Sequence, residues 1–231
     1  AGESQVDSEA AHTALVQLCQ IYWPPLYAFV RSRGYTVHDA QDLTQSFFAH
    51  LIEHKLYARV DRQKGKFRSF LLASLKNLLA DEHDRAQTLK RGGGQDFLPL
   101  NDVQAAAAES LFQTHHGDEL SPDEDRYFER SWAETLVTGA LARLAAEYGA
   151  EGKEKLFDQL KTFLTGGADR LPSYADLSSR LGTPASSLRS DVTRLRARYR
   201  VARRAEVRRT VERESQVDDE LRELLRVLTS R

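Results

Sequence analysis

Apolar residues recur three and four positions apart along most of the chain, and no stretch shows the strict alternation of a half-buried strand. The pattern therefore predicts an all-α fold. Predicted helices cover residues 14–22, 26–33, 39–54, 67–86, 132–148, 154–164 and 218–228. Trp23-Pro24-Pro25 is expected to interrupt the first two, because a residue that precedes proline is pushed out of the helical region.

The stretch from Ser173 to Arg204 predicts two short helices joined by a tight turn. Gly182 can end the first helix in the left-handed conformation, Thr183 is predicted to cap the second, and Pro184 suits its first position. This pattern indicates a helix-turn-helix, whose second helix can present polar residues to a major groove. The polar positions outside the apolar stripe are Ser186, Ser187, Ser190, Asp191 and Arg194. The alternative is an ordinary helical hairpin with a solvated basic face.

Charge is segregated along the chain, although the whole sequence carries a net charge of only −1. Ten arginines and three acidic residues lie between Arg189 and Arg213, a local charge of +7 that suits a polyanion. Residues 92–130 carry nine acids against two arginines, a local charge of −7, and include three consecutive glycines. This acidic segment predicts a flexible linker.

These features divide the 231 residues into two small helical domains joined by the acidic linker. The predicted boundaries are 1–91, a linker over 92–130, a helix-turn-helix domain over 131–204 and a helical tail over 205–231. The leucines of the predicted tail helix lie on one face. The tail can dock on a neighbouring domain, mask DNA contacts or bind a regulator, and the sequence leaves these three possibilities open.

Composition narrows the class of protein further. The single cysteine, Cys19, excludes an internal disulfide and a cysteine-cluster zinc site. The sequence contains no apolar run of 18 residues and no recognisable signal peptide, so we expect a cytoplasmic protein without a membrane segment. We predict no cofactor.

One motif suggests an enzyme instead. His50, Glu53 and His54 form the HxxEH pattern of inverted zinc proteases, in which histidines four apart on a helix can both reach one zinc ion. No convincing third ligand follows in the sequence, so a zinc hydrolase is the remote alternative. A stand-alone helix-turn-helix repressor that dimerises through its tail is a second alternative.

Two motifs in the first half resemble a known family. The run DAQDLTQSFF, from Asp39 to Phe48, resembles the polymerase-binding helix of bacterial sigma factors. The run KFRSFLLASLKN, from Lys66 to Asn77, resembles their promoter-melting helix. Together with a helix-turn-helix in the second half and no domain between, the chain resembles an extracytoplasmic-function (ECF) sigma factor. The resemblance covers about residues 14–91 and 131–204.

The resemblance implies a function that is not enzymatic, with roles for specific residues. Contact with the RNA polymerase clamp is implied for Asp42, Gln45, Phe48 and Ile52. Recognition of melted DNA at the minus-ten element is implied for Asp61, Arg62, Lys64, Lys66, Phe67, Arg68, Asn77 and Arg85. Recognition of the minus-thirty-five element is implied for Ser186, Ser187, Arg189, Ser190, Asp191, Arg194 and Arg198. Phe48 either anchors that interface or completes the core.

The resemblance also implies partners: RNA polymerase core through its clamp and flap surfaces, promoter DNA, and an inhibitory protein such as an anti-sigma factor. In the family the linker threads towards the polymerase active-site cleft. Asp191 departs from the basic residue common at its position in the family. It either accepts a hydrogen bond from a cytosine amino group or orients Arg189 or Arg194.

Overall fold

Every regular element in the described part of the chain is a helix, which confirms the predicted all-α class. The computed structural model describes residues 3–56, 66–88, 102–115, 124–166 and 171–229. The longer helices are α1 (Glu3–Ser32), α2 (Val37–Glu53), α3 (Phe67–Thr88), α4 (Asp102–His115), α5 (Glu124–Ala150) and α9 (Ala185–Arg208). The shorter ones are α6 (Glu154–Leu160), α7 (Thr162–Thr165), α8 (Tyr174–Leu181) and α10 (Val217–Thr229).

The residues group into two units, each with its own internal contacts. One comprises residues 1–135 together with 222–231, and the other comprises residues 136–221. The described parts of the predicted 92–130 linker are helical, because they belong to α4 and to the start of α5. The flexible linker is therefore not confirmed, and the glycine run at 92–94 lies outside the described residues.

The predicted break at Trp23-Pro24-Pro25 is wrong, because α1 continues through both prolines as one helix. Each internal proline removes a backbone hydrogen bond and costs about 3 kcal/mol relative to alanine. Residues 21–23 and 25–30 are all buried, and burial of one large apolar side chain contributes about 1.5–3 kcal/mol. Packing of this apolar segment therefore outweighs the local preference of the two prolines.

In the first unit, α1 is the central element and contacts α2, α3 and α4. Helix α2 begins two residues before the predicted Asp39, because the Thr36 hydroxyl accepts a hydrogen bond from the Asp39 backbone N–H and caps the helix. Its inward face buries Ala40, Phe47 and Leu51. The predicted amphipathic pattern of α2 is thus confirmed, and its start is displaced by the cap.

The second unit contains the predicted helix-turn-helix, formed by α8 and α9. Leu177 of α8 and Leu188, Val192 and Leu195 of α9 are buried in one core together with residues of α5, α6 and α7. Gly182 ends α8 at φ +61°, the left-handed conformation that the sequence predicts for it. The predicted cap at Thr183 is wrong: Pro184 precedes the helix in extended conformation, and the Thr183 hydroxyl donates to the Leu181 carbonyl instead.

Truncation of a core residue tests the packing of the second unit. We expect Leu188→Ala to lower the free energy of unfolding of this unit by about 2–5 kcal/mol, because it leaves a cavity at a fully buried position. The adjacent Ser187→Ala, at an exposed position, is the control and should change it by less than about 0.5 kcal/mol. Urea unfolding followed by circular dichroism measures both, and equal effects would contradict this packing.

Candidate functional site

The outer face of α2 carries the residues implied in polymerase contact. Asp42 is exposed, with its carboxylate 3.0 Å from His38 Nδ1, and Gln45 and Ile52 are half-buried. Phe48 is only 3% exposed, and its ring meets the Phe47 ring edge-on at 5.5 Å. Phe48 therefore completes the core in this structure, which leaves Asp42, Gln45 and Ile52 as the accessible part of the implied surface.

The implied minus-ten residues are described only in part. Asp61, Arg62 and Lys64 lie outside the described residues, and Arg85 lies in α3 with a side chain that is also outside them. Asn77 is exposed on α3, as a base-reading amide would need to be. Phe67 is half-buried, and its ring approaches the Tyr22 ring edge-on at 5.8 Å. Asn77 and part of Phe67 are thus accessible from solvent.

Arg68 takes a different position from the one implied by the resemblance, because it is buried. Its side chain is 1% exposed, and its Nε lies 2.9 and 2.7 Å from the two carboxylate oxygens of Glu129 on α5. Its guanidinium also stacks over the Trp132 ring at 4.0 Å. Arg68 therefore joins α3 to α5 in this structure, and its guanidinium does not face solvent where DNA would bind.

Two further acids, Glu223 and Asp125, contact basic residues of α3 and of the position just before it. Glu223 of α10 lies 3.9 Å from both the Lys66 amine and the Arg68 guanidinium. Partial burial, together with the neighbouring Arg68 charge, lowers the pKa of Lys66. Asp125 of α5 accepts a hydrogen bond from the Lys76 amine. The basic side chains of α3 that are described in detail therefore face acids from α5 and α10.

A third acid of the predicted linker, Glu109 of α4, binds α1. It accepts hydrogen bonds from the Tyr27 hydroxyl at 2.5 Å and from the Arg31 guanidinium at 3.0 and 3.1 Å. The same guanidinium lies 4.6 Å from the centre of the Phe112 ring. The hydrogen bonds from Arg31, above all, lower the pKa of Glu109. Acids of the 92–130 segment thus form ion pairs with basic residues of the first unit.

In the second unit, the N-terminal half of α9 presents the residues implied in minus-thirty-five recognition. Ser186, Ser187, Ser190 and Arg189 are exposed, and the Arg189 guanidinium lies 5.2 Å from the Tyr174 ring centre. Their side chains point away from the buried stripe, as the periodicity predicts. The start of α9 therefore offers hydroxyl groups and a guanidinium to solvent.

Asp191 pairs with Arg194 in this structure. Its carboxylate accepts a hydrogen bond of 2.7 Å from Arg194 Nη2, and the Arg194 side chain is 71% exposed while that of Asp191 is 20% exposed. Of the two roles that the sequence left open, this geometry favours orientation of Arg194. Because the Asp191 carboxylate is paired with Arg194, it repels a DNA phosphate less than an unpaired aspartate would.

Arg198 is held within the second unit. It contacts Glu147 at 3.0 Å and Glu151 at 2.8 Å, and its guanidinium stacks on the Tyr148 ring at 4.4 Å. Burial acts to lower the pKa of Arg198, but the hydrogen bonds to Glu147 and Glu151 together outweigh it, so the pKa is raised. Arg198 thus supports the packing of α9 on α5, and the position implied for it at the DNA is not observed.

In the folded structure, acidic side chains neutralise part of the positive charge of the ten-arginine stretch from Arg189 to Arg213. Arg204 binds Glu214 at 2.8 Å and also Asp218, Arg208 lies 3.0 Å from Glu214, and Arg209 lies 2.7 Å from the Glu206 carboxylate. The sequence pattern missed these pairs, because their acids lie outside the stretch or at an inward position. Within the described residues, Arg196 and Arg200 are exposed and form no ion pair.

The HxxEH motif lies at the C-terminal end of α2. The His50 and His54 rings are 4.2 Å apart between centres, and His54 Nδ1 is 3.2 Å from the His50 carbonyl oxygen. The described residues contain no group of three or more histidine, cysteine, aspartate or glutamate side chains placed to hold a metal ion. The two rings therefore contact each other, and the His54 ring also contacts the backbone of His50.

No helix in the described ranges is both long and apolar enough to cross a lipid bilayer. Comparisons with family models, with curated proteins and with solved structures find no match to this chain.

The Glu109 cluster gives a prediction of pH dependence. Because its pKa is lowered in the folded state, Glu109 stabilises the protein above the pKa of the unfolded chain, near 4.5, and this contribution is lost as pH falls through the folded value. We expect Glu109→Gln to lower the free energy of unfolding by about 2 kcal/mol at pH 7 and by much less at pH 3.

Denaturant titration at the two pH values measures this difference. Glu53→Gln, at an exposed position on α2, is the charge-matched control and should have little effect at either pH. An equal loss of stability at pH 3 and pH 7 for Glu109→Gln would show that the carboxylate charge contributes nothing.

Proposed function

We propose that this chain is a sigma factor of the ECF type. It binds RNA polymerase core, recognises the minus-ten and minus-thirty-five elements of a promoter and initiates transcription, without covalent chemistry or a cofactor of its own. The observation that carries this proposal is the order of the elements: an amphipathic helix with the clamp-binding motif, a helix with the promoter-melting motif, and then a helix-turn-helix.

The surface chemistry of α9 supports the role proposed for the second unit. Its first turns expose Ser186, Ser187, Ser190 and two guanidinium groups, and such side chains form hydrogen bonds with base edges and phosphates in a major groove. Further along the same helix, Arg196 and Arg200 are exposed one turn apart and suit contact with the DNA backbone. The start of α9 then makes the base-specific contacts with DNA, and the middle of α9 makes the non-specific contacts with the DNA backbone.

The role proposed for the first unit rests on fewer accessible groups. On α3, the exposed Asn77 amide can both donate to and accept from a base edge, and the half-buried Phe67 offers a stacking surface. On α2, contact with the polymerase clamp falls to Asp42, Gln45 and Ile52, since Phe48 is buried. Arg68 has a structural role, because its ion pair with Glu129 holds α5 on α3.

An inhibitory protein partner, such as an anti-sigma factor, would act by covering either the α2 surface or the start of α9. The stand-alone repressor remains the competing proposal and differs in one measurable respect. A repressor binds its operator in the absence of polymerase and gains nothing from core enzyme, whereas a sigma factor forms a stable complex with core.

Binding to purified RNA polymerase core, followed by size-exclusion chromatography, tests the proposal together with two reciprocal variants. We expect the wild-type chain to co-elute with core. Asp42→Ala should weaken that binding about tenfold, whereas Asn77→Ala should leave it unchanged and instead reduce promoter melting about tenfold, equal to about 1.4 kcal/mol. Permanganate reactivity of unpaired thymines measures melting.

The two variants serve as controls for each other, because both positions are exposed and neither supports the core of the unit. If the wild-type chain does not bind core, the proposal is wrong and a repressor is favoured. If both variants lose core binding to the same extent, the separation of roles between α2 and α3 is wrong.

A further inference from the structure

The C-terminal helix α10 places a carboxylate against the cations at the start of the promoter-melting helix. Residues 222–229 of α10 belong to the first unit, where Leu224 is fully buried and Val227 is 8% exposed. On the same part of the helix, Glu223 lies 3.9 Å from both Lys66 and Arg68. The end of α10 is therefore packed with the first unit at the position where α3 begins.

The electrostatic arrangement at this position is that of an occupied anion site. Two cations, Lys66 and Arg68, are next to each other, and their charges are opposed by Glu129 and Glu223. Glu223 is also held by Arg226, which donates hydrogen bonds of 2.6 and 3.2 Å to its carboxylate. Arg68 is buried, so Lys66 is the cation of this pair that solvent reaches, and the Glu223 carboxylate takes the place beside Lys66 that a DNA phosphate would take.

The two acids differ in how they are held. Glu129 forms a close ion pair with the buried Arg68, so its removal disturbs the packing of α5 on α3. Glu223 makes longer contacts, and the side chains of Lys66 and Glu223 are 42% and 25% exposed. Ion pairs at such partly exposed positions are weak and easily screened. Glu223 is therefore the acid that a competing polyanion can displace.

We propose that α10 is an autoinhibitory element: Glu223 masks Lys66 and the start of α3, and DNA phosphate engages this position only after the end of α10 has moved away. The proposal rests on the proposed function for its biological meaning, since it concerns regulation of the same DNA-binding helix. Among the three possibilities that the sequence left open for the tail, it selects the masking of DNA contacts.

Substitution of Glu223 in the whole 231-residue chain tests the mask, with a fluorescent single-stranded DNA oligonucleotide as the probe. Glu223→Gln removes the charge and keeps the shape of the side chain. We expect it to raise the affinity for the oligonucleotide about fivefold at low salt, and to steepen the dependence of log affinity on log salt by about 0.7 as one further phosphate contact forms on single-stranded DNA.

Control variants separate this effect from a general change in charge. Asp219→Asn removes the same charge from the first turn of α10 and should leave the affinity within about twofold of wild type. Glu223→Gln also frees Arg226, so two double variants assign the gain: Glu223→Gln with Lys66→Gln should lose most of it, and Glu223→Gln with Arg226→Gln should keep most of it. A gain in Asp219→Asn as large as that in Glu223→Gln would overturn the proposal, as would no gain in Glu223→Gln.

Hydrogen–deuterium exchange of the wild-type chain is an independent test that needs no variant. Saturating oligonucleotide should accelerate exchange of backbone amides within residues 222–229, and unchanged or slower exchange there would contradict displacement of α10. Failure of the sigma-factor proposal is distinguishable: the chain would then not bind polymerase core, although Glu223→Gln could still bind DNA more tightly than wild type.

Discussion

The first unit depends on one buried ion pair, Arg68 with Glu129. A guanidinium that is 1% exposed must be neutralised within the protein, and Glu129 provides two short contacts while Trp132 stacks on its face. Loss of one partner from such a pair costs about 3–5 kcal/mol, because the other charge is left buried. The start of α5 is therefore fixed on α3, and Asp125, one turn before Glu129, lies next to Lys76 of α3.

Charge segregation in the sequence becomes charge pairing in the structure. Acids of the 92–130 segment bind α1 and α3 through Glu109, Asp125 and Glu129, and acids near residue 214 bind arginines of α9. The local charges of −7 and +7 are therefore each partly neutralised by ion pairs within their own unit. Within the part of the chain that the structure describes, the outer face of α9 keeps arginines available to a polyanion: Arg196 is exposed and unpaired, and Arg194 is exposed and oriented by Asp191.

Helical periodicity predicted the all-α class and the buried stripe of α9, because both depend on spacing along a single helix. Contacts between helices distant in sequence were not predictable in the same way. Nothing in the run around Arg68 distinguishes a buried arginine from a DNA-binding one, since its partner Glu129 is 61 residues away. Prediction from local sequence also failed at the two prolines in α1. Their local preference indicated a break in the helix, but burial of the surrounding aromatic side chains outweighs that preference.

Transcription from fragmented genomic DNA by purified polymerase core, with and without the chain, tests the central claim most directly. If the chain is a sigma factor, discrete transcripts should form only when it is present, and their start sites should share minus-ten and minus-thirty-five sequences. Core enzyme that yields the same transcripts with and without the chain, or a chain that only represses transcription, would contradict it.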